Sequence, residues 1–199
     1  MFYKVYKNTH HGVPSEAVKE LFFLKKLKHP NIITLYHVDI TDNTVLTLEL
    51  GDADLHHIIQ HEEDDFQLIF NHIVLGLDYC HENKIIHCDI KPRNIVRVHG
   101  LYKLIDFGLA TQCPTSHNVV SLWYRAPELL LKKSYSFPID IWSLGCVWQE
   151  LLTKRVLYPG KNEDDQYQLI MNGITDDMLT IDPKLRITAK QLKLIHLKI

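Results

Sequence analysis

The chain has 199 residues, 46% of them apolar and 23% charged, and its 22 basic and 24 acidic residues leave a formal net charge of −2. That is enough apolar material for one folded core. No apolar run approaches the roughly 18 residues of a membrane span, no basic start with a short apolar stretch reads as a signal peptide, and the charge balance lacks the basic footprint of a nucleic-acid binder. Four cysteines (Cys80, Cys88, Cys113, Cys146) with no CxxC pair make neither a disulfide framework nor a zinc cage. The 13 histidines include no HExxH pattern and read as solvated side chains.

Taken in chain order, residues 1 to 50 alternate short extended runs with one helix. Ala17, Val18, Leu21, Phe22, Leu24 and Leu27 recur at helical spacing after Pro14 and Ser15, and His29-Pro30-Asn31 ends the segment. The strongest strand signal is Thr44 to Leu50, with leucine at every second position. From Asp65 onward, Phe66, Ile69, Phe70, Ile73, Val74 and Leu77 predict a long, half-buried helix. Asn94 to Asp106 reads as two strands joined at His99-Gly100, and Ile139 to Leu152 as an apolar helix carrying Trp142 and Trp148. The expectation is an α+β fold, with a small β lobe packed on a mainly helical one.

Three segments carry the chemistry. His87-Cys88-Asp89-Ile90-Lys91-Pro92-Arg93-Asn94 lies between the long helix and the strand pair, Asp106-Phe107-Gly108 follows the strands, and Ala126-Pro127-Glu128 comes later. Alone, the second is an ordinary turn and the third an ordinary helix entry. In this order and context they resemble the eukaryotic protein kinases. The resemblance implies a two-lobe kinase fold over residues 1 to 199 as a single domain, with 1 to 50 a truncated N-terminal β lobe and 51 to 199 the helical lobe.

It also implies ATP and Mg2+ as cofactors. Asp89 would accept the proton of the acceptor hydroxyl and Lys91 would stabilise the moving phosphoryl group, a lysine more typical of serine/threonine than of tyrosine kinases. Asn94 and Asp106 would supply hard oxygen ligands to magnesium. Lys4 falls on the nucleotide-binding lysine, with Lys7 as the alternative register, and Glu20 on its ion-pairing partner. Glu49 and Gly51 fall on the segment linking the lobes, where backbone groups would bond adenine, with Leu48 before them. Asp54 would reach the ribose and Val96 would touch the base. Arg186 would pair with Glu128, and Leu24, Leu35, His87 and Phe107 would stack in the core.

The segment Gly12 to Glu20 resembles the helix of cyclin-dependent kinases that docks on a cyclin, and Leu122 to Glu128 and Asp140 to Cys146 resemble the same group and the mitogen-activated kinases. Protein substrates with proline-directed sites, a cyclin-like activator, and a nuclear or cytoplasmic place in cell-cycle or transcription control would follow. Neither nucleic acid nor membrane is expected as a partner. The sequence departs from the group in four ways. Met1 falls on the lysine strand, so the family's glycine-rich loop has no counterpart in this sequence. Phe2 stands where a small alanine faces adenine, either blocking the pocket or stacking on the base. Cys88, Lys19 and Thr111 replace three residues that normally hold the phosphorylated activation loop, so a phosphate at Ser116 or Thr115 is expected to do little. The stretch from Tyr158 to Asp182 is short. An alternative reading is a pseudokinase or partner-binding module with weak or no ATP turnover.

Overall fold

A computed structural model describes residues 1–114, 117 and 119–197. Strands β1 (Phe2–Lys7), β2 (Leu35–Ile40) and β3 (Asn43–Leu48) form an antiparallel sheet in the order β1-β3-β2. The central strand β3 buries Leu46 and Leu48, and pairing Phe2 with Leu48 and Lys4 with Leu46 fixes the register of β1. Helix α1 (Ser15–Lys26) follows Pro14, with Glu16 in its first turn and Lys25 and Lys26 in its last, the charge order that complements a helix dipole. It buries Ala17, Glu20, Phe23 and Leu24. Val18 and Phe22, apolar at helical spacing, are instead more than half exposed.

The expected strand over 44–50 starts at Asn43 and stops at Leu48. The Glu49 N–H bonds the Thr34 carbonyl at 2.9 Å, after which the chain leaves the sheet and Leu50 is exposed. The helical part begins with β4 (Ala53–Asp54) and α2 (Leu55–His61), the latter capped by Asp54, whose Oδ1 accepts from the His57 N–H at 2.8 Å. Helix α3 (Phe66–Glu82) is capped in the same way by Asp65. Strands β5 (Ile95–Val98) and β6 (Leu101–Leu104) form the expected hairpin, and β4 completes a sheet in the order β4-β5-β6. Its two-residue turn places both His99 (φ 49°) and Gly100 (φ 79°) in the left-handed region, the requirement of a tight hairpin turn.

Short helix α4 (Pro127–Leu130), then α5 (Pro138–Thr153), α6 (Glu163–Met171) and α7 (Ala189–Leu197) complete the fold. Helix α5 is apolar on most of its surface, as a helix buried on all sides must be, with Trp142 fully enclosed. The fold is α+β, and one contiguous apolar core runs from Leu24 and Leu46 through α3 to α5. Leu24, His87 and Phe107 lie fully buried within it and Leu35 is partly buried, with the His87 and Phe107 rings 4.7 Å apart. Arg186 forks onto Glu128 through Nη1 at 2.8 Å and Nη2 at 3.0 Å, both groups buried. Among the described residues no helix is long and apolar enough to cross a membrane.

Candidate active site

The segment His87 to Asn94 is held from below by Asp140 at the start of α5. Its carboxylate accepts the backbone N–H groups of His87 (2.8 Å) and Cys88 (2.9 Å), and also meets His81 Nε2 at 2.9 Å. Cys88 is thereby turned into the left-handed region, at φ 66°. Such strain in a non-glycine residue persists only where surroundings over-determine it, and here the two bonds to Asp140 act together with the Cys88 Sγ–H bond to the Ile86 carbonyl at 3.7 Å. Its thiol is buried, and burial pushes its pKa up, so it is not a reactive thiolate.

On the other side of the turn, Asp89, Lys91 and Asn94 form one cluster. Lys91 Nζ lies 2.7 Å from Asp89 Oδ2, and Asn94 Nδ2 donates to the same oxygen at 2.8 Å and to the Asp89 carbonyl at 2.9 Å. Ser121 joins them: its hydroxyl donates to Asp89 Oδ1 at 3.0 Å and accepts from Lys91 at 2.9 Å. Ser121 thus marks the place beside Asp89 where a hydroxyl is already tolerated.

Lys4, Glu20 and Asp106 form a second cluster. Lys4 Nζ stands 2.8 Å from Glu20 Oε2 and 2.9 Å from Asp106 Oδ1. Glu20 is thus met by Lys4, while Lys7 is exposed at the far end of β1 opposite Asn43. Burial works against the Lys4 charge, but Glu20 and then Asp106 more than restore it and hold its pKa above the usual lysine range. Glu20 is fully buried and also accepts from the Tyr6 hydroxyl. Asp106 sits at φ 63°; burial raises its pKa, and Lys4 outweighs that to hold it below the usual aspartate value. The two clusters are joined by Ile105, which gives its N–H to the Asn94 carbonyl and its carbonyl to His87 Nε2, each at 3.0 Å.

A cavity of about 500 Å³ opens above the second cluster. Lys4, Glu20, Glu49, Gly51, Asp54, Val96 and Asp106 all line it, so the residues expected around a nucleotide share one space. Phe2 stands on its wall without filling it. Glu49 is fixed by Lys103, whose Nζ lies 2.8 Å from Oε2, and although burial opposes it, this partner and Thr34 keep the carboxylate ionised below its usual range. Because the Glu49 N–H is committed to Thr34, any adenine contact there falls to its carbonyl. A β-carbon at Gly51 would stand 2.9 Å from Val96 Cβ, so the linker approaches β5 too closely for a side chain. The Asp54 carboxylate caps α2 as well as lining the cavity.

Asn94 and Asp106 fit magnesium by chemistry. The Asn94 nitrogen is committed to Asp89, which leaves its amide oxygen as the acceptor, and Asp106 adds a carboxylate. Among the described residues no group of three or more His, Cys, Asp or Glu converges as a metal cage. Magnesium does not require one, since it is usually held by one or two carboxylates together with substrate phosphates. Ser116 and Thr115, the expected phosphorylation positions, lie outside the described residues. Lys19 is exposed, and the Thr111 hydroxyl bonds locally to the Cys113 carbonyl at 2.9 Å.

Sequence reasoning missed Ser121, Lys103 and Tyr6. A hydroxyl directly before Leu122 was the available signal for the first, and a lysine on a strand flanked by buried Tyr102 and Leu104 for the second. Nothing in the pattern marked Tyr6.

Residues 2–193 match the sequence profile of the protein kinase domain. The chain belongs to the protein kinase family, whose members generally use ATP and Mg2+ to phosphorylate proteins.

Proposed function

We propose that the protein is a cyclin-dependent-type serine/threonine kinase that transfers the γ-phosphate of ATP, bound with Mg2+, to serine or threonine followed by proline. The observation that carries this reading is the hold of Arg125 on Val120. Val120 is a β-branched residue at φ 65°, and its carbonyl accepts from Arg125 Nε at 3.1 Å and Nη2 at 2.9 Å. It directly precedes Ser121, which touches Asp89. With a substrate hydroxyl at Asp89, the next substrate residue lies beside Val120, whose carbonyl is already satisfied. A backbone N–H buried there without a partner costs about 1–3 kcal/mol. Proline has none to bury.

In this reading Asp89 takes the hydroxyl proton, and Lys91 balances charge between Asp89 and the transferred group. Glu20 positions Lys4 to hold phosphate oxygens. Asn94 and Asp106 hold magnesium, which when bound neutralises phosphate charge. The cavity of Leu48, Gly51 and Val96 receives the base, with Glu49 and Asp54 at its edge. A cyclin-like activator seats on Val18 and Phe22, one helical turn apart and both exposed, on the helix whose opposite face carries Glu20. The same reading places the protein in the nucleus or cytoplasm, in cell-cycle or transcription control.

A second reading, a partner-binding module without turnover, draws on Phe2 at the cavity wall. Phosphate incorporation from Mg-ATP into Ser-Pro and Ser-Ala peptides, with Asp89→Asn as control, separates the two. The kinase reading expects Ser-Pro ahead by about tenfold, equivalent to 1.4 kcal/mol, and no incorporation by the variant. Equal rates on both peptides would remove the proline preference, and ATP binding with no transfer, activator present, would favour the module.

A further inference from the structure

Arg93 lies in the short turn Pro92–Asn94, between two residues of the Asp89 cluster, and is exposed. It lines two spaces at once: the nucleotide cavity, and a second cavity of about 270 Å³ that opens beside Lys91 and Ser121 and extends to His56 and Trp123. Arg97, Arg125 and Arg186 each face a carboxylate, at 2.6, 2.6 and 2.8 Å. Arg93 makes no ion pair or hydrogen bond among the described residues. Lys91, two positions earlier, is committed to Asp89 and Ser121. The cation left free next to the transfer site is therefore Arg93.

The rest of the second cavity does not cancel that charge. Its one carboxylate, Glu150, is buried, accepts the Tyr124 hydroxyl at 2.7 Å, and is disfavoured as an anion by its burial. The volume falls just under the roughly 300–1,000 Å³ of small-molecule sites, and suits a side chain. Val120 and Arg125, which meet the residue after the acceptor, do not line it.

We infer that Arg93 is a specificity-determining residue, which binds an aspartate or glutamate carboxylate of the protein substrate shortly before the phosphorylated serine or threonine. This rests on the protein-substrate reading above. A guanidinium presents paired donors that match a carboxylate, and at an exposed site such a pair is worth about fivefold in affinity.

The test is fluorescence anisotropy of labelled Ser-Pro peptides that carry Glu, Ala or Lys at each of the positions before the serine, titrated with the full chain. The wild type is expected to bind one Glu peptide about fivefold more tightly than its Ala counterpart. In Arg93→Ala the Glu-to-Ala ratio falls to about one, and Arg93→Glu shifts the preference to the Lys peptide. A ratio that survives Arg93→Ala overturns the inference. So does a loss of ATP affinity with the peptide ratio intact, which puts the guanidinium on nucleotide phosphate instead. Binding needs no turnover: a Glu preference without phosphate transfer would sink the catalytic reading alone, and transfer without the preference would sink this one alone.

Discussion

Below the cleft, Asp140 fixes two backbone N–H groups of the segment His87 to Asn94, Asp89 meets Lys91, Asn94 and Ser121, and Glu128 is locked to Arg186. Above it, β1 and α1 leave Phe2, Tyr3, Val5, Val18 and Phe22 exposed, and the polar anchor of that wall is the Lys4, Glu20 and Asp106 group. The Asp140, Asp89 and Glu128 carboxylates of the lower wall are buried and partnered. The upper wall carries apolar surface that something else can cover. Substitutions below should therefore cost chemistry or stability outright, while those above should change how the wall responds to its surroundings.

The largest effect is expected at Asp89. Asp89→Asn keeps the size of the side chain and one of its two acceptor oxygens but removes the proton acceptor, so kcat should fall by about 10²–10⁴. The thermal midpoint, read on the same sample, should change little by comparison. If phosphate transfer persists at more than a tenth of wild type, Asp89 is not the base and the lower wall is only structural.

Next comes Arg186→Ala, which strands a buried Glu128 carboxylate. Breaking a buried pair from one side costs about 3–5 kcal/mol, or about 6–20 °C in the melting midpoint of a chain this size. Replacing both partners, as in Arg186→Met with Glu128→Leu, should recover most of the loss, because neither charge is then left alone. A double variant no better than the single one would show that the guanidinium bonds to the Thr180 and Pro138 carbonyls carry the effect.

A smaller, pH-dependent effect is expected on the upper wall. Asp106 has a depressed pKa, so its contribution to stability is present above the unfolded value near 3.8 and is lost as pH falls through the lower folded value. Lys4 has a raised pKa, so its contribution is complete below 10.5 and is lost as pH rises through the higher folded value. The stability difference between wild type and Lys4→Met should be flat between these limits and shrink beyond either. Urea midpoints across that range measure it, and a difference that stays constant to pH 3 would mean that Lys4 acts through packing alone.

The two walls also differed in how far they could be read from sequence. Helices α3 and α5 and the β5–β6 hairpin follow from apolar periodicity and a His-Gly turn, and Asp89, Lys91, Asn94 and Asp106 stand in segments whose order is itself informative. Lys4 and Lys7 are three residues apart and so face opposite sides of a strand; only the pairing with β3 and the position of Glu20 decide between them. Leu50 continued the strand alternation in sequence, yet the bond between Glu49 and Thr34 ends the strand first. Ser121 and the Val120–Arg125 contact depend on a left-handed valine, a backbone fact with no compositional trace.

Val18 and Phe22 give the smallest expected effect on the isolated chain and the sharpest test of the comparison. Both recur at helical spacing with the other apolar residues of α1, but they are 51% and 54% exposed, while Glu20 and Leu24 on the inner face are fully enclosed. Removing apolar atoms that are already in water forfeits little burial, so Val18→Ser with Phe22→Ser should move stability by no more than about 0.5 kcal/mol per site. The same atoms become valuable only when a partner desolvates them, at about 25 cal/mol per Å² covered. If α1 is the activator surface, the double variant should keep its folding transition and lose the rise in phosphate transfer that a cyclin-like protein produces. A large drop in stability would instead mean that both side chains pack on this chain itself, and the upper wall would then be as self-contained as the lower one.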